Sequence, residues 1–260
     1  MCGSNGAHTQ DRKPELADER IQSCAQTMLR IPLIEDLTNG PIPVGSQLMV
    51  EFDPSTQWYS ASLTIAAGWL KSGGRVNYNT LAQPPNEVRM KLGRLGLDVA
   101  QLEGQDFLRI VDWHTATLGQ KSAEKFGRDS LKVHDASISF AKMWMHGPPE
   151  PDRLLIADNT SVFARFNEER TWVEYHLTRT IPVFKTRQVM AIRAVIRDLH
   201  SNWVYKQLES ASDGVIDLRL EEVDQEPRDV MRIRVMKNVG FDRRWHQLKV
   251  NENFEVTLEK

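Results

Sequence analysis

The stretch QLMVEFDPSTQWYSASLTIAAGWLK, residues 47–71, decides how the chain is read. Residues 47–52 predict a short buried strand, 53–57 a turn, and 58–71 a helix with Leu63, Ala66, Ala67 and Leu70 on one face. Strand, tight loop and helix is the frame in which N–H groups at a helix N-terminus hold phosphate. A loop built for that task reads G-x-x-x-x-G-K-[ST]. At its four fixed places this chain carries Phe52, Gln57, Trp58 and Tyr59.

Each replacement removes a piece of chemistry. The glycines let backbone N–H groups wrap an anion with no Cβ in the way, and Phe52 and Gln57 restore that Cβ and add bulk. The lysine supplies a cation to the outer phosphates and the hydroxyl ligates magnesium. Trp58 has no charge, Tyr59 sets a phenol where a small hydroxyl belongs, and Ser60 comes one residue too late. On this stretch alone an ordinary strand–turn–helix accounts for the residues better than a phosphate loop stripped of its chemistry, because unrelated α/β units share the outline.

Composition sets the outer bounds. At 260 residues, 40% hydrophobic and 26% charged, the chain can bury a sizeable core. A net charge of −2 argues against strong non-specific attraction to nucleic acid or anionic membrane. No apolar run approaches a membrane span and the N-terminus does not read as a signal peptide, so a cytoplasmic setting is expected. Cys2 and Cys24 make no metal-ligand pattern.

Working outward, residues 1–30 read as a polar, flexible segment with a short helix over 21–29, and 31–260 as one domain. Asn39-Gly40-Pro41 and Pro43 mark turns before the first strand, and Ser72-Gly73-Gly74 ends its helix. Strands follow at 75–80, 107–112 and 153–158, with helices at 87–95 and 130–144 between them. A helix over 169–185 is expected to run as far as Pro182; 188–199 mixes strand and helix signals; 202–211 is helical. Three strands, at 215–222, 229–237 and 254–258, close the chain. Alternating β and α elements followed by a run of strands predict an α/β fold, a mainly parallel sheet flanked by helices with an antiparallel C-terminal edge.

In this order the segments resemble the KaiC-like branch of the RecA-fold ATPases, the P-loop NTPase class, over nearly all of 31–259. Ile34-Glu35-Asp36-Leu37 through Ile42-Pro43-Val44-Gly45-Ser46 is similar to that family's opening phrase. Glu51, Pro54, Thr56 and Ser60 survive from its phosphate loop. Leu81-Ala82-Gln83-Pro84-Pro85-Asn86-Glu87 stands where the family carries a glutamate pair. Leu108 to Asp112, Ser130 to Val133, and Leu155-Ile156-Ala157-Asp158-Asn159-Thr160-Ser161 match later phrases, the last being the Walker B strand. Ala211 to Leu218, Lys237 to Gly240 and Arg244-Trp245-His246-Gln247-Leu248 match the closing ones.

The resemblance implies a site for ATP and magnesium between ring-forming subunits, and the departures remove its parts. The catalytic glutamate positions hold Ala82 and Gln83; alanine cannot act as a base and glutamine can only orient a water. The expectation is therefore a pseudoenzyme: a degenerate Walker A loop, no cofactor, and a regulatory or interaction role with itself or a KaiC-like homologue as partner. The alternatives are an atypical ATP-binding ATPase, to which ATP and magnesium would belong, and a RecA-type nucleic-acid-binding paralogue.

Asp158 is the one candidate metal ligand, although a carboxylate ending a buried strand more often caps the next turn. His114, His134, His146, His176, His200 and His246 are scattered singly, without ligand spacing. Arg228, Arg232, Arg234, Lys237, Arg243 and Arg244 form a basic set, but Glu221, Glu222, Asp224, Glu226 and Asp229 stand beside them, as on an edge strand made soluble by charge. Trp58 and Tyr59 read either as packing that closes an empty site or as a stacking platform for a ring.

Overall fold

The computed structural model describes residues 29–223 and 225–259. The polar segment 1–28, with Cys2, Cys24 and most of the helix expected over 21–29, lies outside the described residues.

Strand β1 (Gln47–Phe52) is buried along its whole length because it has parallel neighbours on both sides. Its Leu48, Val50 and Phe52 join the core on one face of the sheet, while Met49 joins the core on the other. The remaining strands are β2 (Arg75–Thr80), β3 (Leu108–Asp112), β4 (Arg153–Ala157), β5 (Met190–Ile196), β6 (Gly214–Val223), β7 (Glu226–Met236), β8 (His246–Val250) and β9 (Val256–Leu258). They form one sheet in the order β3-β2-β4-β5-β1-β6-β7-β8-β9. Pairing is parallel from β3 through β6 and antiparallel from β6 to β9. The expected α/β architecture is thus the observed one.

Helix α1 (Trp58–Lys71) covers one face together with α2 (Pro85–Arg94) and α3 (Val99–Gly104). A Cβ on Gly68 would lie 2.5 Å from Pro32 Cγ, so glycine there lets the incoming chain cross α1 closely. Gly73, at φ +88°, ends the helix in the left-handed region, and the Gly74 N–H returns to the Trp69 carbonyl at 3.0 Å. The opposite face is covered by α4 (His114–Thr117), α5 (Val133–Trp144), α6 (Glu169–Tyr175), α7 (Ile181–Thr186) and α8 (Asn202–Ala211).

Several boundaries differ from those expected. Helix α5 begins at Val133 rather than 130, since Lys132 is extended and the Ser130 hydroxyl accepts its N–H at 3.2 Å. Pro182 does not end a helix: α6 runs through a π turn (His176–Thr180) into α7, and Pro182 occupies a first-turn place that tolerates a missing N–H. The mixed signals over 188–199 resolve as β5, an interior strand buried from Met190 to Val195. Four strands, not three, close the chain. In the extra one, β8, only Leu248 is buried, so the sequence has no apolar alternation to announce it.

Candidate functional site

The C-terminal end of β1, the loop after it and the first turn of α1 form the crevice where a parallel α/β sheet places a ligand. The loop is held by its own contacts. The Thr56 N–H and hydroxyl both donate to the Asp53 carbonyl, at 2.9 and 2.7 Å. The Asp53 N–H donates to the Leu218 carbonyl at 3.1 Å, and its carboxylate accepts the Leu220 N–H at 3.2 Å. At the helix N-terminus the Gln57 N–H donates to Asp229 Oδ1, a carboxylate from β7, at 3.2 Å. A side chain of the protein itself therefore stands where an anion would meet this helix.

Trp58 is 3% exposed, and its indole N–H donates to the Asp158 backbone carbonyl at 2.7 Å. Its ring lies 6.1 Å from that of Phe52, tilted by 35°. Phe52 and Trp58 are therefore packed together. Of the two readings left open for Trp58, the geometry selects packing. Tyr59 is half-buried, with Lys91 Nζ 4.2 Å from its ring centre, and burial pushes its phenol well above the usual range. Gln57 is exposed.

Asp158, just beyond β4, is 1% exposed. Its Oδ1 accepts the Leu81 N–H at 2.8 Å, and both oxygens lie 3.4 Å from the Ala82 N–H. Burial pushes its pKa up to about 7, against the pull of these backbone N–H groups. The carboxyl thus ties the end of β4 to the turn after β2. That turn carries the exposed Ala82 and the half-buried Gln83, whose carbonyl accepts the Thr80 hydroxyl. The structure brings Phe52, Trp58 and Asp158 together and connects Asp158 to Ala82 through the backbone.

Beside the loop lies a charge network. Buried Glu51 pairs with Arg197 at 3.2 Å and Arg234 at 2.7 Å. Buried Asp217 pairs with Arg232 at 2.9 Å, and Asp53 with Arg197 at 3.1 Å. Arg244 pairs with Asp242 at 2.6 Å and Lys237 donates to the Ser212 carbonyl at 2.6 Å. Trp245 lies between Arg219 and Arg232, at 3.9 and 4.4 Å from its ring centre. Most of the basic set is therefore engaged within the chain. Among the described residues no group of three or more His, Cys, Asp or Glu is placed to hold a metal, and no helix is long and apolar enough to cross a membrane.

Asp229 is the site residue that sequence reasoning missed. It appeared only as one acid among several beside the arginines, and no local signal ties it to Gln57, 172 residues away.

Residues 30–258 match the family described as "ATPase: KaiC", and the chain belongs to that family. A UPF0273 protein of Aeropyrum pernix is 24% identical over 237 residues, covering 85% of this chain and 89% of the relative. A UPF0273 protein of Methanocaldococcus jannaschii is 23% identical over 252 residues, covering 88% and 95%. The crystal structure of a KaiC-like protein from Pyrococcus horikoshii superposes with a TM-score of 0.66 at 18% identity, over 88% of this chain and 96% of that one. That likeness is one of fold, the RecA type.

Proposed function

We propose that this chain is a non-catalytic member of its family: a RecA-fold pseudo-ATPase that binds no Mg-ATP and acts as a regulatory or interaction subunit. The observation that carries the reading is Trp58, buried at the lysine place and hydrogen-bonded to the Asp158 carbonyl. A triphosphate would have to displace that indole, and it would meet the Asp229 carboxylate at the Gln57 N–H with no lysine to offset the repulsion. Magnesium fits no better. A carboxyl with a pKa near 7 is about half protonated at neutrality, and the Asp158 oxygens are already turned to backbone N–H groups. Ala82 and Gln83 offer no carboxylate to orient an attacking water.

On this reading the protein needs no cofactor, and its partner is a second copy or a KaiC-like homologue. Nucleic acid is disfavoured because Arg232, Arg234 and Arg244 are paired with carboxylates. Membership in an ATPase family favours the second reading, an atypical ATP-binding enzyme. Thermal unfolding with and without millimolar Mg-ATP separates the two. A ligand at a hundredfold excess over its Kd adds about 2.7 kcal/mol, so a nucleotide binder would show a clear rise in Tm. We expect none, and no phosphate release; a rise that requires the nucleotide overturns the proposal.

A further inference from the structure

On the face of the sheet opposite α1, a cavity of about 80 Å³ lies between the strands and helices α5 to α7. Its walls include Trp113, Phe140, Trp144 and Phe184. The last three meet edge to face, with Phe140 and Trp144 at 5.4 and 5.0 Å from Phe184. The volume is far below the roughly 300–1,000 Å³ of sites for drug-sized ligands, so a nucleotide does not enter.

Three polar side chains stand in the same walls: Arg193 and Arg128 have no carboxylate partner, and His176 has a buried ring nitrogen with no hydrogen-bond partner among the described residues. Arg193 is 8% exposed, and its one hydrogen bond goes to the neutral Gln47 Oε1, at 2.8 Å. Asp213, the carboxylate that acts on it, is beyond ion-pair distance and is held by Lys185 at 3.1 Å and the Gln47 N–H at 2.9 Å. Elsewhere in the chain buried arginines are paired: Arg153 and Arg187 both reach Glu150, at 2.6 and 2.5 Å. Arg128 also has no carboxylate within 4 Å among the described residues; it meets its neighbour's carbonyl at 3.1 Å, the Met143 sulfur at 3.7 Å and the face of Trp113, 5.6 Å from the ring centre.

His176 is the third, set at the start of the π turn, a local irregularity frequent at functional sites. The Thr180 hydroxyl donates to the His176 carbonyl at 3.2 Å and so accepts from Nδ1–H at 2.9 Å. That tautomer leaves Nε2 with a lone pair, buried and without a partner among the described residues. Burial holds the ring's pKa down at about 3, with Arg193 adding to the effect, so the imidazole is neutral and Nε2 is an acceptor.

We propose that this cavity binds a single-ring aromatic acid, with its ring among Phe140, Trp144 and Phe184, its anionic group toward Arg128 and Arg193, and a ring hydroxyl donating to His176 Nε2. One buried and one half-buried cation without a carboxylate, one buried acceptor without a donor, and aromatic walls define that chemistry together. The proposal is independent of the phosphate loop.

The test uses the whole protein and four probes: 4-hydroxybenzoate, benzoate, phenol and benzene. Binding is read by ligand-observed NMR, and His176 Nε2 by spectra of 15N-histidine-labelled protein. At about 10 mM even a millimolar site is nearly saturated. We expect 4-hydroxybenzoate to bind, to shift Nε2, and to bind about tenfold more tightly than phenol, which lacks the charge for the arginines. Ala136→Leu, which fills the cavity from α5, should abolish binding; Arg128→Gln, at a half-buried position with no ion pair to break, should remove the preference for the acid. Absence of binding at about 10 mM, equal affinity for phenol and 4-hydroxybenzoate, or an unmoved Nε2 in the bound state each overturns the proposal. The unmodified protein suffices for all three measurements should a variant fail to fold.

Discussion

Asp158 sits with its oxygens turned to the N–H groups of Leu81 and Ala82, and burial lifts its pKa from 3.8 to about 7. In the unfolded chain the carboxyl returns to its ordinary value. Between those two pH values the native state binds more protons than the unfolded state, so stability falls as pH rises. The contribution is fully present below about 3.8 and gone above about 7, and its size is on the order of a few kcal/mol. Asp158→Asn keeps an oxygen for the Leu81 N–H and removes the titration. We expect the parent to lose stability across this window relative to the variant, measured by urea unfolding at several pH values. Parallel losses in the two proteins would show that the carboxyl does not carry the effect.

Elements bounded by strong chemical signals were legible in residues alone. The bounds of β1, α1 and β2 agree with those expected because β1 and β2 are mostly buried and Gly73 stops α1. The short helices α3 and α4 were missed, since a four- or six-residue segment shows too little periodicity to be seen. The loop itself was legible as chemistry but not as contact. Phe52 and Trp58 could be read as departures from the residues of a phosphate loop, yet only the folded chain shows the indole reaching the Asp158 carbonyl and Asp229 reaching the Gln57 N–H.

A rebuilt loop tests that division. Phe52→Gly, Ser55→Gly, Gln57→Gly, Trp58→Lys and Tyr59→Thr made together restore backbone donors and a cation at the helix N-terminus. With Asp229 in place the anion still meets a resident carboxylate, so we expect phosphate affinity to rise further when Asp229→Ala is added. Phosphate release should stay at background in both, because positioned proton transfer contributes about 10²–10⁴-fold. Adding Ala82→Glu and Gln83→Glu should be required for turnover. Equal turnover without those glutamates would refute the role given to positions 82 and 83.

Across the whole molecule, the alternation of elements foretold a parallel sheet with an antiparallel edge, but not the order of its strands. Crossovers such as β1 lying between β5 and β6 are fixed by pairings more than 140 residues apart in sequence, which no local pattern encodes. The same long-range pairing settles the basic set. Arg232 meets Asp217 across β6 and β7, and Arg234 meets Glu51 of β1, so these charges tie β7 to β6 and β1 inside the sheet, where an edge strand was expected, rather than standing free for a partner. Arg234 also reaches Glu209 of α8, at 2.9 Å.

That arrangement bears on assembly. The resemblance to RecA-fold ATPases implies ring-forming subunits that meet across a nucleotide. Here the crevice presents a carboxylate and a buried indole, and the arginines of β7 already face carboxylates of their own chain. On the proposed reading a self-interface would have no bridging ligand, and surface ion pairs contribute little by themselves, about 0–1 kcal/mol each. We expect a monomer or small oligomer in nucleotide-free buffer, with a mass by light scattering that Mg-ATP leaves unchanged. Mixing with an intact KaiC-like homologue should raise the mass only if that partner supplies its own nucleotide at the shared interface. A stable hexamer of this chain alone, without nucleotide, would contradict the argument, since its contacts would then have to come from surfaces other than the crevice.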